Sequence, residues 1–182
     1  MTPEDDFVRD LRKGDADAFE ALVRRFEAPL YRYFLAAHGD PQLAGEQSAD
    51  CFGNLVEALP KMSGGAAQLR PFVFGVARNV LRRQWRRREL AGNQPLTDEM
   101  AFDQRPAPDM EMEATEERAR IIEAIRSLDP PDRDVFLLRF VEEMSITEVA
   151  EAVGEPVGTV KSRLHYGRKR LIEKLRTTTR LS

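Results

Sequence analysis

The side chains of this sequence with the clearest chemical meaning are two clusters of cations. Six arginines between positions 78 and 88 surround Asn79, Gln84 and Trp85. The second cluster consists of Lys161, Arg163, Arg168, Lys169, Arg170, Lys174 and Arg176. Cations bind phosphate oxygens, while amides and aromatic rings can bond to or stack on unpaired bases. Both clusters therefore indicate contact with nucleic acid.

The residues before the second cluster predict the element that presents it. Ser145 stands three residues before a glutamate, the pattern of a capping box that begins a helix, and Gly154 is suited to end that helix. Pro156 then precedes a second helix with an apolar stripe at helical spacing. A short helix, a turn and a cationic helix predict a helix-turn-helix that enters the major groove. The alternative is a helical hairpin whose charges are merely solvated.

The first cluster follows three predicted helices, at residues 4–13, 15–37 and 42–59. Pro29 is expected to kink the second of them or divide it in two. Residues 60–70, which include a proline and a glycine pair, predict a flexible loop before the arginine-rich helix. An ordinary amphipathic helix with Trp85 packed inward is the alternative, but it explains six arginines poorly.

Composition limits the function classes. The chain has 182 residues, a net charge of −3 and one cysteine, Cys51, so an internal disulfide is excluded and a reducing compartment is expected. The acidic N-terminus does not resemble a signal peptide, and no apolar run approaches ~18 residues, so we expect a cytoplasmic protein without membrane insertion. His38 and His165 lack neighbouring ligands, and no nucleotide-binding, metal or nucleophile motif is present. We therefore expect no metal, no cofactor and no enzymatic activity.

The fold class predicted from these patterns is all-α, with two small helical domains at residues 1–90 and 113–182. Between them, residues 91–112 contain three prolines and five acidic residues against one arginine, which predicts a flexible acidic linker. The C-terminal domain is expected to be a helix-turn-helix, similar to a winged helix without the wing.

Three segments, in chain order, resemble one family. AFEALVRRFEAPLYRYF and RPFVFGVARNVLRRQWRRR are similar to the first conserved segment and the promoter-melting segment of the extracytoplasmic-function sigma factors of bacterial RNA polymerase. LDPPDRDVFLLRFVEEMSITEVAEAVGEPVGTVKSRLHYGRKRL resembles their C-terminal domain, and its run at 156–164 is highly specific in this setting. The resemblance implies a dissociable polymerase subunit that directs promoter-specific initiation of transcription.

The resemblance also implies a division of roles. The N-terminal domain would bind the clamp helices of the polymerase β′ subunit and melt the −10 element, with loop 60–70 helping to hold a flipped base. The C-terminal domain would read the −35 duplex and touch the β flap, and the linker would follow the RNA exit path. Core polymerase and promoter DNA are thus the expected partners.

Matching the family's motifs to this chain assigns the expected site residues. Those expected at the −35 element are Gly158, Thr159, Lys161, Ser162, Arg163 and Arg168. Those expected to bind and melt the −10 element are Arg78, Asn79, Arg82, Arg83, Trp85 and Arg86. Those expected at the polymerase clamp are Glu46, Asp50 and Phe52.

The chain departs from the family pattern in two places. Tyr166-Gly167 replaces a common Arg-Ala pair, and glycine is expected to weaken the recognition helix by ~1 kcal/mol. The clamp-binding helix lacks two carboxylates and a glutamine of the family motif. Phosphorylation of Ser48 by a Ser/Thr kinase would add charge there, and we state this as a hypothesis. An anti-sigma factor is a further expected class of partner.

Two other function classes compete with this interpretation. A stand-alone helix-turn-helix regulator would bind duplex DNA without polymerase, but it has no use for an arginine helix that carries a tryptophan beside a glycine loop. A nuclease would need clustered carboxylates for metal ions, whereas the acidic residues lie mainly in the predicted linker.

Overall fold

The computed structural model of the protein describes residues 2–90 and 109–179, and every regular element in these two ranges is helical. This confirms the all-α fold class. The eight α-helices described are α1 (Pro3–Lys13), α2 (Ala16–His38), α3 (Pro41–Ala58), α4 (Ala66–Leu90), α5 (Asp109–Arg126), α6 (Pro130–Phe136), α7 (Ile146–Val153) and α8 (Val157–Thr179). A 3₁₀ turn (Leu59–Lys61) follows α3, and a π-helical turn (Leu137–Val141) follows α6. No helix of the described part of the chain is long and apolar enough to cross a bilayer.

The first helix of the helix-turn-helix, α7, begins and ends at the predicted capping residues. The Ser145 hydroxyl accepts a hydrogen bond from the Glu148 amide at 3.2 Å, and the Glu148 carboxylate accepts one from the Ser145 amide at 2.8 Å. Gly154 ends α7 with φ of 68°, a left-handed conformation that glycine adopts without strain. The predicted helix-turn-helix is therefore present as α7, a short turn and α8.

Three boundaries differ from the prediction. α2 runs unbroken through Pro29, so the predicted division at this residue is wrong, while the alternative prediction of a kink stays a prediction. α4 begins at Ala66 and runs through Pro71, so the predicted loop 60–70 is shorter. α5 begins at Asp109, within the predicted linker 91–112; residues 91–108 of that linker lie outside the described residues.

The helices before and after residues 91–108 pack against each other. α4 lies against α7, and α2 lies against α5 and the π-helical turn. The buried apolar side chains form one cluster that extends from Val8 in α1 to Leu171 in α8. Between the two predicted domains, the Arg32 guanidinium donates two hydrogen bonds, of 3.0 and 2.8 Å, to the Glu142 carboxylate. Helical periodicity in the sequence does not predict this contact.

Candidate nucleic-acid interface

The N-terminal part of α8 presents most of the residues expected to read duplex DNA. Lys161, Ser162 and Arg168 are exposed, as is Gly158 in the first turn, while Thr159 is partly buried. Val160 is fully buried on the opposite side, which fixes the orientation of the helix. Short polar side chains and a cation on one exposed helix face can bond to base edges and phosphates in a major groove.

His165 and Tyr166 are also exposed on the same helix and were not among the predicted site residues. The two rings pack edge-on with centroids 5.1 Å apart, and the Lys169 ammonium lies 5.6 Å from the centroid of the Tyr166 ring. Their position one turn beyond Lys161 and Ser162 was the available sequence signal. Helical spacing alone would have added them to the candidate surface.

Gly167, which looked unfavourable in the sequence, has a packing role. A Cβ atom placed on Gly167 would lie 2.5 Å from Cε2 of Phe136, a ring that is only 2% exposed. The absence of a side chain thus lets α8 approach α6 more closely than alanine would allow. The expectation that this glycine only weakens the recognition helix was incomplete, because tertiary contact decides here.

Arg163 is expected to contact DNA, but in this structure its guanidinium is bound within the C-terminal domain. It donates bonds of 2.9 and 3.2 Å to the Glu155 carboxylate and one of 3.3 Å to Asp132. These carboxylates raise the pKa of Arg163. Contacts of this kind anchor α8 to the preceding turn and to α6, so the side chain reaches DNA only if they break.

The residues expected to melt DNA divide into two groups on α4. Asn79, Arg83 and Arg86 are exposed. Arg83 donates a 2.9 Å bond to Oδ1 of Asn54 on α3, which holds the guanidinium along the surface between α3 and α4. The side chains of this group are therefore accessible from solvent.

Arg78, Arg82 and Trp85 form the second group and contact α6. Oδ2 of Asp134 accepts bonds from Nε of Arg78 at 2.6 Å and from Nε of Arg82 at 3.0 Å. The guanidinium of Arg133 lies 3.4 Å from the centroid of the Trp85 ring, a stacked cation–π arrangement. Burial raises the pKa of the Asp134 carboxyl, and the neighbouring guanidinium groups offset part of that shift. These three predicted DNA contacts are therefore occupied by partners from the C-terminal domain.

The surface expected to bind the polymerase clamp lies on α3. Glu46 and Asp50 are exposed and Phe52 is partly buried. Ser48 lies on the other side of the helix, where it is 7% exposed and donates a 2.7 Å hydrogen bond to the Ala44 carbonyl. A phosphate on Ser48 would be buried in the helix packing and not displayed beside Glu46 and Asp50. Phosphorylation of Ser48 stays a prediction, and it now requires α3 to move away from its neighbours.

Comparison with known proteins identifies the family. A family model of sigma-70 region 4 matches residues 118–171. SigL of Mycobacterium tuberculosis, an ECF RNA polymerase sigma factor, is 32% identical over 159 residues, covering 84% of this chain and 86% of SigL. The RNA polymerase sigma-E factor of Streptomyces avermitilis is 36% identical over 170 residues, covering 89% of this chain and 87% of its own.

A solved structure shows the same fold. CnrH, determined in complex with the cytosolic domain of CnrY, matches with a TM-score of 0.68 at 21% identity over 96% of this chain and 97% of its own. The sequence relatives are similar over most of both chains. The chain therefore belongs to the extracytoplasmic-function family of RNA polymerase sigma factors.

Proposed function

We propose that this sigma factor divides promoter recognition between its two helical domains. Residues 1–90 bind core polymerase and open the −10 element, residues 113–182 read the −35 duplex, and the segment between them spans the two. The observation that carries this proposal is the placement of two separate cationic helices, α4 and α8, one in each domain. A protein that binds only duplex DNA needs only one cationic helix.

In the C-terminal domain, Lys161, Ser162 and the small residues Gly158 and Thr159 meet the −35 bases, and Arg168 meets phosphate. Their exposure on one side of α8 supports this assignment. Arg163 positions α8 through Glu155 and Asp132 unless DNA displaces those carboxylates.

In the N-terminal domain, Asn79, Arg83 and Arg86 meet the melted strand first, because they are exposed. Arg78, Arg82 and Trp85 join them after their contacts with α6 are released. Glu46, Asp50 and Phe52 face the polymerase clamp. The few carboxylates on this face imply that apolar contact through Phe52 contributes a larger share of the affinity.

Run-off transcription with purified core polymerase and a promoter library tests this assignment. Transcripts should appear only when core polymerase and this chain are both present, and the enriched promoters should share two sequence elements. Lys161→Ala should relax selection at the upstream element, by ~1–3 kcal/mol for each base that the ammonium group no longer binds. Arg83→Ala with Arg86→Ala should slow strand opening on an unchanged promoter.

Two results would contradict the proposal. Sequence-specific binding of duplex DNA with no transcription in the presence of core polymerase would support the stand-alone regulator. Equal effects of both sets of variants on the upstream element would refute the division between domains. An anti-sigma factor as a further partner stays a prediction.

A further inference from the structure

An exposed aromatic pair lies on the outer face of α8, away from the core of the C-terminal domain. Tyr166 is 59% exposed, and the His165 ring packs edge-on against it with centroids 5.1 Å apart. The Lys169 ammonium lies 5.6 Å from the centroid of the Tyr166 ring. Single exposed aromatic residues are common on protein surfaces, so exposure alone does not indicate a site. The position of this pair on the helix is what connects it with DNA.

Helical geometry places Tyr166 on the face that carries residues assigned to the −35 bases. Successive residues of an α-helix are ~100° apart, so Ser162 and Tyr166 lie ~40° apart around the axis of α8. Val160, Gly167 and Leu171 are buried on the other side of the helix, which fixes its rotation against the core. Tyr166 therefore projects outward beside Ser162, one turn further along α8.

We propose that Tyr166 is a specificity-determining residue for the upstream promoter element, where its ring contacts the methyl group of one thymine. This role of Tyr166 rests on the proposed function of α8 as the helix that enters the major groove. It adds to the contacts assigned to Lys161 and Ser162 a base whose identity is decided by an apolar group and not by hydrogen bonds. His165 restrains the ring, and Lys169 binds an adjacent phosphate.

The chemistry of the Tyr166 side chain favours thymine over the other bases. Base edges in the major groove present hydrogen-bond donors and acceptors, and thymine alone adds an apolar group, its C5 methyl. A single phenolic hydroxyl cannot form the paired hydrogen bonds through which arginine or lysine binds guanine. The ring offers apolar surface instead, and its contact with the methyl group removes apolar surface of both partners from water.

The distance along α8 limits which base Tyr166 can meet. α8 begins at Val157, which makes Tyr166 its tenth residue and Ser162 its sixth. At 1.5 Å per residue, Tyr166 lies ~6 Å beyond Ser162 along the helix axis. Base pairs of a duplex are ~3.4 Å apart, so the thymine lies within about two base pairs of the base that Ser162 meets. It therefore belongs to the same element and extends it at one end.

The neighbours of Tyr166 prepare its ring for this contact. An exposed side chain loses conformational freedom when it docks on a ligand, which lowers affinity. His165 and Lys169 already contact the ring in the free protein, so less freedom remains to be lost on binding. Lys169 follows Tyr166 by three residues, a spacing that brings side chains together on a helix surface. Its ammonium group can bind a phosphate at the edge of the groove while the ring faces the base.

The test uses the full chain bound to core polymerase and a promoter selected by run-off transcription. Each thymine of the upstream element is replaced in turn by deoxyuridine, which removes only the methyl group. Equilibrium binding of each promoter is measured by competition against a labelled one. One replacement should weaken binding by the wild type about fourfold, which corresponds to the ~0.8 kcal/mol of one buried CH₂ group. The same replacement should have no effect on binding by Tyr166→Ala.

Matched variants separate the contact of the ring from other changes on α8. Tyr166→Phe keeps the ring and removes the hydroxyl, so it should retain the fourfold thymine effect. Ile172→Ala truncates another exposed apolar side chain of the same helix, nearly two turns further on, and should leave affinity and thymine preference unchanged. Lys169→Ala should reduce the slope of log affinity against log salt concentration by about 1, as expected for one lost phosphate contact.

Equal binding of thymine and deoxyuridine promoters by the wild type at every position would overturn the role of Tyr166. A selected upstream element without thymine, or a deoxyuridine effect that persists in Tyr166→Ala, would overturn it as well. Failure of the proposed function is a separate outcome, because no transcript would then form with core polymerase. In that case the deoxyuridine series is measured on the duplex that the chain selects alone, and the same comparison of wild type with Tyr166→Ala decides the role of the ring.

Discussion

Replacement of Gly167 by alanine should destabilise the protein, although helix propensity alone predicts the opposite. Glycine to alanine inside a helix stabilises by up to ~1 kcal/mol. In this structure the new Cβ would lie 2.5 Å from Cε2 and 3.0 Å from Cζ of Phe136, whose ring is buried and stacked on Phe140 with centroids 5.3 Å apart. Overpacking of a filled core costs ~1–3 kcal/mol. The expected net change is a loss of up to about 2 kcal/mol.

Urea unfolding followed by far-ultraviolet circular dichroism measures this change. Gly158→Ala is the matched control, because it lies in the same helix and nothing is within 4 Å of its new Cβ; it should be neutral or stabilising. Phe136→Leu removes the ring edge, so the double variant Gly167→Ala/Phe136→Leu should show a favourable coupling energy. A stabilised Gly167→Ala protein with no coupling to Phe136 would refute the packing argument and restore the expectation from propensity.

Three other perturbations test neighbouring contacts. Arg163→Ala should lower the thermal unfolding temperature because it leaves Glu155 and Asp132 without their cation, whereas Lys161→Ala should leave that temperature unchanged and lower affinity for −35 duplex. Ser48→Glu should destabilise α3 by burying a carboxylate, and Ser48→Ala should not; a stable Ser48→Glu variant with raised polymerase affinity would support phosphorylation. Burial lowers the pKa of His38 to about 4, so unfolding free energy should fall as pH drops from 6.5 towards 4, with a smaller slope in His38→Gln.

The sign of the His38 effect comes from proton binding in each state. Unfolded histidine titrates near 6.5, so between that pH and about 4 the unfolded chain binds a proton that the folded chain does not. The stabilisation is complete above pH 6.5 and lost below. Equal slopes for wild type and His38→Gln in urea unfolding at several pH values would contradict the burial argument.

Local sequence signals predicted most of the helical elements because they depend on neighbouring residues. Ser145 and Gly154 cap α7 within hydrogen-bond reach along the chain, and the two prolines after Asp129 begin α6 as such pairs do. Pro29 does not divide α2, because its cost to the helix is local whereas the compensating burial of Phe26 and Leu30 is tertiary. Tertiary packing of the neighbouring side chains outweighs a low helix propensity at such a position.

The sequence predicted which cations belong to the candidate site, but not which residues of the protein those cations contact. Spacing identifies which arginines share a helix, and the structure shows that Asn79, Arg83 and Arg86 are the exposed members of the predicted set. It contains no information on which carboxylate an arginine meets when that carboxylate is more than fifty residues away, as Asp134 is from Arg78. Charge runs in the sequence therefore overstate the cationic surface that the folded molecule presents.

The net charge of −3 fits a protein whose cations are partly neutralised within its own fold. A chain that bound DNA alone would gain affinity from each exposed cation through counterion release, and the pairing of Arg78 and Arg82 with Asp134 reduces that gain in this structure.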